Sequence, residues 1–201
     1  PFIIMQFTFL GTGTSQGVPV ITCKCEVCQS TNFKEKRTRT SLMIQSAKTT
    51  VVVDSGPDFR SQMLREKVQD LDAVLFTHGH KDHVAGLDDI RPFNYLLNKK
   101  IDVYAEEMVQ QILKREFGYA FEEQQYPGAP QIQLNTIDEN PFSIHDISFV
   151  PIRVIHKTLP VLGFRVHDFT YITDANFISF EELEKIKGSK ILVLNALRKE
   201  T

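Results

Sequence analysis

The stretch Thr77-His78-Gly79-His80-Lys81-Asp82-His83 packs three imidazoles and one carboxylate into six residues, directly after the apolar run Ala73-Val74-Leu75-Phe76. The run predicts a short buried strand. A strand ending in a ligand-rich loop is how a rigid scaffold presents a site. His78 and His80 stand two apart, so in extended chain both point the same way and grip one metal ion. Asp82 and His83 are adjacent and diverge, which lets them reach a second. Imidazole and carboxylate are donors that zinc, manganese and iron accept. A histidine-rich surface loop is the plain alternative, yet six histidines placed at random seldom put three so close.

The 201 residues suit one domain, 1–201, and 42% hydrophobic content is ample for a core. A net charge of −2, with both signs spread along the chain, argues against general nucleic-acid binding. No apolar run approaches the roughly 18–20 residues of a membrane span. The start, Pro1-Phe2-Ile3-Ile4-Met5, is too short for a signal peptide, and Met5 reads as the natural start. A reducing cytoplasm is the default setting.

All three cysteines fall in Cys23-Lys24-Cys25-Glu26-Val27-Cys28, too close and too odd in number for a disulfide framework. Their spacing suits one tetrahedral structural zinc that needs a fourth ligand, with three free loop thiols as the alternative. Phe7–Leu10 reads as the first strand and runs into Gly11-Thr12-Gly13-Thr14-Ser15-Gln16-Gly17. Gln16 breaks the dinucleotide fingerprint, so this loop is a tight turn whose glycines let backbone pass close to the site. The basic run Lys34–Arg39 meets a phosphate or, more commonly, solvent.

Ser41–Gln45 and Thr49–Val53 predict a hairpin whose second strand ends in Asp54-Ser55-Gly56-Pro57-Asp58. Asp58 or Ser55 caps a helix through Lys67, with Phe59, Met63 and the Lys67 stem inward. Asp54 suits a carboxylate that holds a ligand histidine from behind, or is an ordinary turn aspartate. A helix begins near Val84–Ile90, Ile101–Tyr104 is a strand, and Glu106–Phe117 is a helix stopped by Gly118. The loop Gly118–Pro130 borders a substrate entrance. Strands follow at Gln131–Thr136, Phe142–His145, Ile147–Val154, Val161–Val166 and Phe169–Thr173, with a turn at Leu159-Pro160. Glu181–Lys187 is a short helix and Ile191–Leu194 a buried strand. His156 and Asp174 both lie at strand ends, where sites are built; each alone is as readily a turn residue.

Taken in order, Leu-Gly-Thr-Gly-Thr-Ser-Gln-Gly-Val-Pro, C-x-C-x-x-C, Val-Asp-Ser-Gly, Thr-His-Gly-His-Lys-Asp-His, a lone histidine before a strand, and Thr-Asp-Ala resemble one branch of the metallo-β-lactamase superfamily. That branch includes the cyclic-phosphate phosphodiesterases of phosphonate breakdown and, more distantly, PqqB-type proteins. The resemblance runs from Phe7 to Leu197. It implies an α/β (αββα) sandwich with the site at one edge between the halves.

The resemblance also implies a dinuclear zinc or manganese site. His78, His80 and His156 would hold one ion, Asp82 and His83 the other, and Asp174 would bridge them. Asp82 and His83 would thereby take part in catalysis. Cys23, Cys25 and Cys28 would hold the separate zinc, and His145 and His167 would be structural. Two such ions make hydroxide available near neutral pH for attack on phosphorus. The expected activity is hydrolysis of a small cyclic phosphate or nucleotide-like ester, with no nucleic-acid or membrane partner. A PqqB-like protein of cofactor biosynthesis and a tRNA-processing nuclease of the same fold are the alternatives. All six expected ligands favour the first over a PqqB-like site, and the absence of a basic face disfavours the nuclease.

One departure stands out. The resemblance implies a last histidine ligand beyond Ile191–Leu194, but only Asn195-Ala196-Leu197-Arg198-Lys199-Glu200-Thr201 follow. The expectation is a C-terminally incomplete domain. Its second ion and its cysteine zinc would each lack a ligand, and its uncovered sheet edge would favour self-association, such as a homodimer.

Overall fold

Three consecutive valines show how the molecule is layered. Val51 and Val53 point into a core between two sheets, whereas Val52 points into a second core beneath helices, and all three are fully buried. The same alternation recurs in Leu42-Met43-Ile44 and in Ala73-Val74-Leu75. Side chains of a strand alternate in direction, so a strand apolar at every position must be covered on both faces.

The computed structural model describes residues 4–196. The first sheet comprises β1 (Gln6–Gly11), β2 (Ser41–Gln45), β3 (Thr50–Val53), β4 (Ala73–Leu75), β5 (Ile101–Ala105) and β6 (Ile132–Thr136), in that order. Between its strands the chain forms α1 (Glu26–Gln29), α2 (Phe59–Glu66), α3 (Lys81–Val84), α4 (Arg91–Leu97) and α5 (Glu107–Glu116). β1 to β3 are antiparallel and β3 to β6 are parallel. The second half holds β7 (Phe142–Ile144), β8 (Ile147–His156), β9 (Leu159–Val166), β10 (Phe169–Ile172), β11 (Phe177–Ile178), α6 (Phe180–Ile186) and β12 (Ile191–Leu194). Its order is β11-β8-β9-β10-β12, with β7 paired to β8.

Phe59, Met63, Val84, Phe93, Val109 and Leu113 cover the outer face of the first sheet. Phe149, Leu162, Phe164, Val166 and Tyr171 meet the first sheet across the central core. Ile186 of α6 packs on Ile152, Val154, Val161 and Ile172 outside the second. The result is the αββα sandwich expected from the sequence.

Several local expectations are corrected. α2 stops at Glu66, and Lys67 is exposed in a left-handed conformation, φ 54°, that ends the helix. Asp58 precedes α2 but makes no side-chain cap. Its carboxylate instead accepts from the Arg39 main chain at 2.8 Å and pairs with the Arg39 guanidinium at 3.1 Å. A 3-10 turn at Leu87–Ile90 leads into α4, which the sequence did not announce. β8 extends through His156, and Leu159-Pro160 is not a turn but the start of β9. Ile191–Leu194 is not buried: β12 lies at the end of its sheet, with Ile191, Leu192 and Leu194 about half exposed. No helix among the described residues is long and apolar enough to cross a membrane.

Candidate metal centre

β3 and β4 run parallel and end side by side, Val53 opposite Leu75. Their C-terminal continuations, the Asp54 turn and the His78 loop, therefore emerge at one edge of the sheet. Gly56 and Gly86 let these segments touch, because a Cβ on Gly56 would stand 2.0 Å from the Asp82 carbonyl oxygen and one on Gly86 2.1 Å from the Gly56 carbonyl oxygen. The second sheet approaches the same edge. The Leu162 N–H of β9 donates to the Thr77 carbonyl at 3.1 Å. Arg153 of β8 forks onto Glu106, just ahead of α5, through bonds including one of 2.8 Å.

This junction gathers the expected ligands. His78 Nε2 and His80 Nδ1 are 3.1 Å apart. The His156 ring centroid lies 5.5 Å from that of His80 and 6.1 Å from that of His78. His83 Nε2 is 3.3 Å from Asp82 Oδ2 and 3.1 Å from Asp174 Oδ2. Asp82 and His83 were expected to diverge; the turn of α3 instead folds their donor atoms together. Donor atoms of His78, His83 and Asp174 all fall within 4.8 Å of one another. Two nitrogens held about 2.0–2.1 Å from a tetrahedral zinc stand roughly 3.3–3.4 Å apart, so the His78–His80, His83–Asp82 and His83–Asp174 separations of 3.1, 3.3 and 3.1 Å fit donors that share an ion.

The supporting bonds free the right atoms. Asp54 is fully buried; Oδ1 accepts the Thr77 N–H at 2.9 Å and Oδ2 accepts the Thr77 hydroxyl at 2.9 Å. With its proton given to Asp54, the Thr77 hydroxyl can only accept from His78 Nδ1, 2.9 Å away. That leaves the lone pair of His78 on Nε2, facing the site. Asp54 Oδ2 also takes His83 Nδ1 at 2.7 Å, which aims His83 Nε2 at Asp82 and Asp174. Of the two roles open to Asp54 in the sequence, the contact with His83 is the one that holds a histidine from behind.

Electrostatics agrees with a cation site. Burial, helped by the neighbouring His83 charge, pushes His78 down to about 3, so its ring is a neutral donor. Burial alone would also lower His83. The Asp54 charge and hydrogen bonds to Asp174, Asp54 and Asp82 outweigh it and lift His83 well above its usual range. Burial would raise Asp82 and Asp174, but His83 draws both down. Asp54 and Asp174 adopt left-handed backbone, φ 64° and 56°, which costs on the order of 1–3 kcal/mol and clusters where function over-determines geometry.

Two asparagines not singled out from the sequence brace the turns that carry His156 and Asp174. Asn195 donates to the Ala175 carbonyl at 3.2 Å and accepts the Ala175 N–H at 2.8 Å, bracing the Asp174 turn. Asn176 Oδ1 faces His156 Nδ1 at 3.3 Å. Thr77 was likewise read only as part of the motif, and Arg153 as part of a strand. Residues 197–201 lie outside the described residues.

Cys23, Cys25 and Cys28 form a second donor cluster, their sulfurs within 4.8 Å of one another, free of disulfides and near the surface. The Cys28 N–H donates to Cys25 Sγ at 3.5 Å and is the main cause lowering the Cys25 thiol. Cys28 Sγ accepts the Val20 N–H at 3.4 Å. Among the described residues no fourth donor joins them. His145 and His167 sit at exposed turns in left-handed backbone, φ 49° and 53°.

A domain model for the β-lactamase superfamily matches residues 49–201. The chain belongs to that superfamily, and its two facing sheets with helices outside are the metallo-β-lactamase fold. Within it, the chain is similar to a diphosphatase from the PhnP family, with 35% identity over 94% of this chain and 73% of that one, at a TM-score of 0.86. Zinc-bound PqqB from Methylobacterium extorquens shares the fold at 16% identity, with a TM-score of 0.69 over 96% of this chain and 72% of that one. An octanoyltransferase of Porphyromonas gingivalis is 40% identical over 196 residues, which are 96% of this chain but 39% of that protein. The chain thus spans about two fifths of that curated relative.

Proposed function

We propose that the chain is a metal-dependent phosphoester hydrolase, acting on a small cyclic phosphate or a diphosphate of nucleotide-like size through two zinc or manganese ions. The observation that carries this reading is Asp174, whose carboxylate lies 3.1 Å from the His83 donor and within 4.8 Å of the His78 donor, in reach of both rather than of one alone. His78, His80 and His156 would hold one ion; Asp82 and His83 would hold the other; Asp174 would join both. The likeness to a PhnP-family diphosphatase supports phosphoryl over acyl chemistry.

When bound, the pair of ions supplies an activated water and screens charge on the phosphoryl oxygens. The protein's part is placement. Asp54 and Thr77 fix the rings of His83 and His78 so that little reorganisation remains when substrate arrives. The cysteine trio would hold a separate structural zinc that orders the loop before β2.

The test is turnover of bis(p-nitrophenyl) phosphate, a cyclic nucleotide, a dinucleoside diphosphate, a β-lactam and an octanoyl thioester, each with and without chelator. Metal-dependent cleavage of a phosphate ester is expected. Cleavage of the thioester alone would overturn the reading and favour acyl chemistry related to the octanoyltransferase relative.

A further inference from the structure

His156 ends β8 at the mouth of a two-residue turn, Lys157-Thr158, that leads straight into β9. The His156 ring is only half-buried, and edge contacts with His78 and His80 do not choose which nitrogen faces them, yet a ligand must present one chosen nitrogen. Asn176 sits against this turn on three anchors. Its N–H donates to the Ile155 carbonyl at 2.8 Å. Its Oδ1 accepts the Lys157 N–H at 2.9 Å, at a residue held in left-handed backbone with φ 58°. The same Oδ1 lies 3.3 Å from His156 Nδ1.

The identity of the amide oxygen follows from this network. A main-chain N–H only donates, so the atom it meets is an acceptor. An acceptor facing Nδ1 requires the ring proton there, which leaves the lone pair on Nε2. We infer that Asn176 is the positioning residue of His156, fixing its Nδ1–H tautomer and turning Nε2 toward His78 and His80. This rests on the proposed placement of His156 at the first ion. Asn176 itself is exposed and meets the site through the His156 ring, so it acts through that ring.

Two variants and one spectrum test this. Asn176→Asp keeps the acceptor for both Nδ1–H and Lys157, while Asn176→Leu removes it. Zinc affinity, measured by competition with a chromophoric chelator, is expected to fall roughly 10- to 100-fold in Asn176→Leu and to be retained in Asn176→Asp. The cobalt-substituted protein should show a changed ligand-field spectrum only in the leucine variant. In nitrogen-15 spectra of the wild-type protein, His156 should carry its proton on Nδ1. Equal affinity in the leucine variant, equal loss in both variants, or an Nε2–H tautomer would overturn the inference. Wild-type protein that binds no ion at the histidines would instead overturn the proposed function, so the two failures are told apart.

Discussion

Asp54 and His83 are 29 residues apart in sequence and meet at 2.7 Å, both wholly shielded from solvent. The carboxylate serves the ring and the Thr77 main chain at once, so charge and geometry can be separated by substitution. Asp54→Asn retains an acceptor for Thr77 and tolerates left-handed backbone. It should fold and lose roughly 10- to 100-fold in metal affinity, read by chelator competition. Asp54→Ala should further cost about 1–3 kcal/mol in urea unfolding, because buried Thr77 groups lose their partner. Unaltered affinity in the asparagine variant would show that His83 needs no anionic support.

His80 and Asp82 are more accessible than His78 and His83, so their removal should spare the fold. Alanine at either position is expected to lower phosphoesterase turnover by more than about 100-fold, beyond the usual effect of an outer-shell partner. Circular dichroism should remain unchanged. Full activity in both variants, or in chelator-treated protein, would count against metal chemistry here.

Cys25→Ser should reduce bound zinc by about one equivalent and increase protease cutting of the loop before β2. Turnover per folded molecule should change less. Thiolates suit a closed structural site whose binding energy is folding energy. Recovery of a disulfide from the native protein would contradict this.

Gly56→Ala forces a methyl group into the Asp82 carbonyl, where only 2.0 Å is available. The Asp54 turn and the histidine loop would have to separate. The expected loss is about 1–3 kcal/mol of stability, as for other overpacked sites, together with weaker metal binding. A thermal melt and a zinc titration check it. Wild-type values in both would mean the two segments move apart freely.

Much of the candidate site is legible because the residues that meet there cluster in sequence or end apolar strands. β4 followed by the histidine loop needed no tertiary information. The β8–β9 boundary did, because Pro160 looks like a turn residue. Here the Ile155 carbonyl is taken by Asn176, so Ile155 and Pro160 face each other without bonding to one another. β10 pairs with β9 only over Phe164–Val166, and the missing N–H of Pro160 falls on an unpaired stretch. β12 was misjudged for a related reason: four apolar residues in a row look the same at a sheet's end as in its middle, and exposure depends on neighbours that the run does not encode. Asn176 and Asn195 were invisible because their partners lie 20 residues away along the chain.

The Thr77–Leu162 bond joins two pieces that divide cleanly along the chain at the exposed residues 138–140. His78, His80, Asp82 and His83 lie on one side of that point, His156 and Asp174 on the other. An ion held by both sets would therefore act as a coincidence detector, gripped in full only while both pieces are docked. Fragments cut at 138–140 would each leave half of the central core bare, so metal uptake by their mixture would report that the two halves had found one another again.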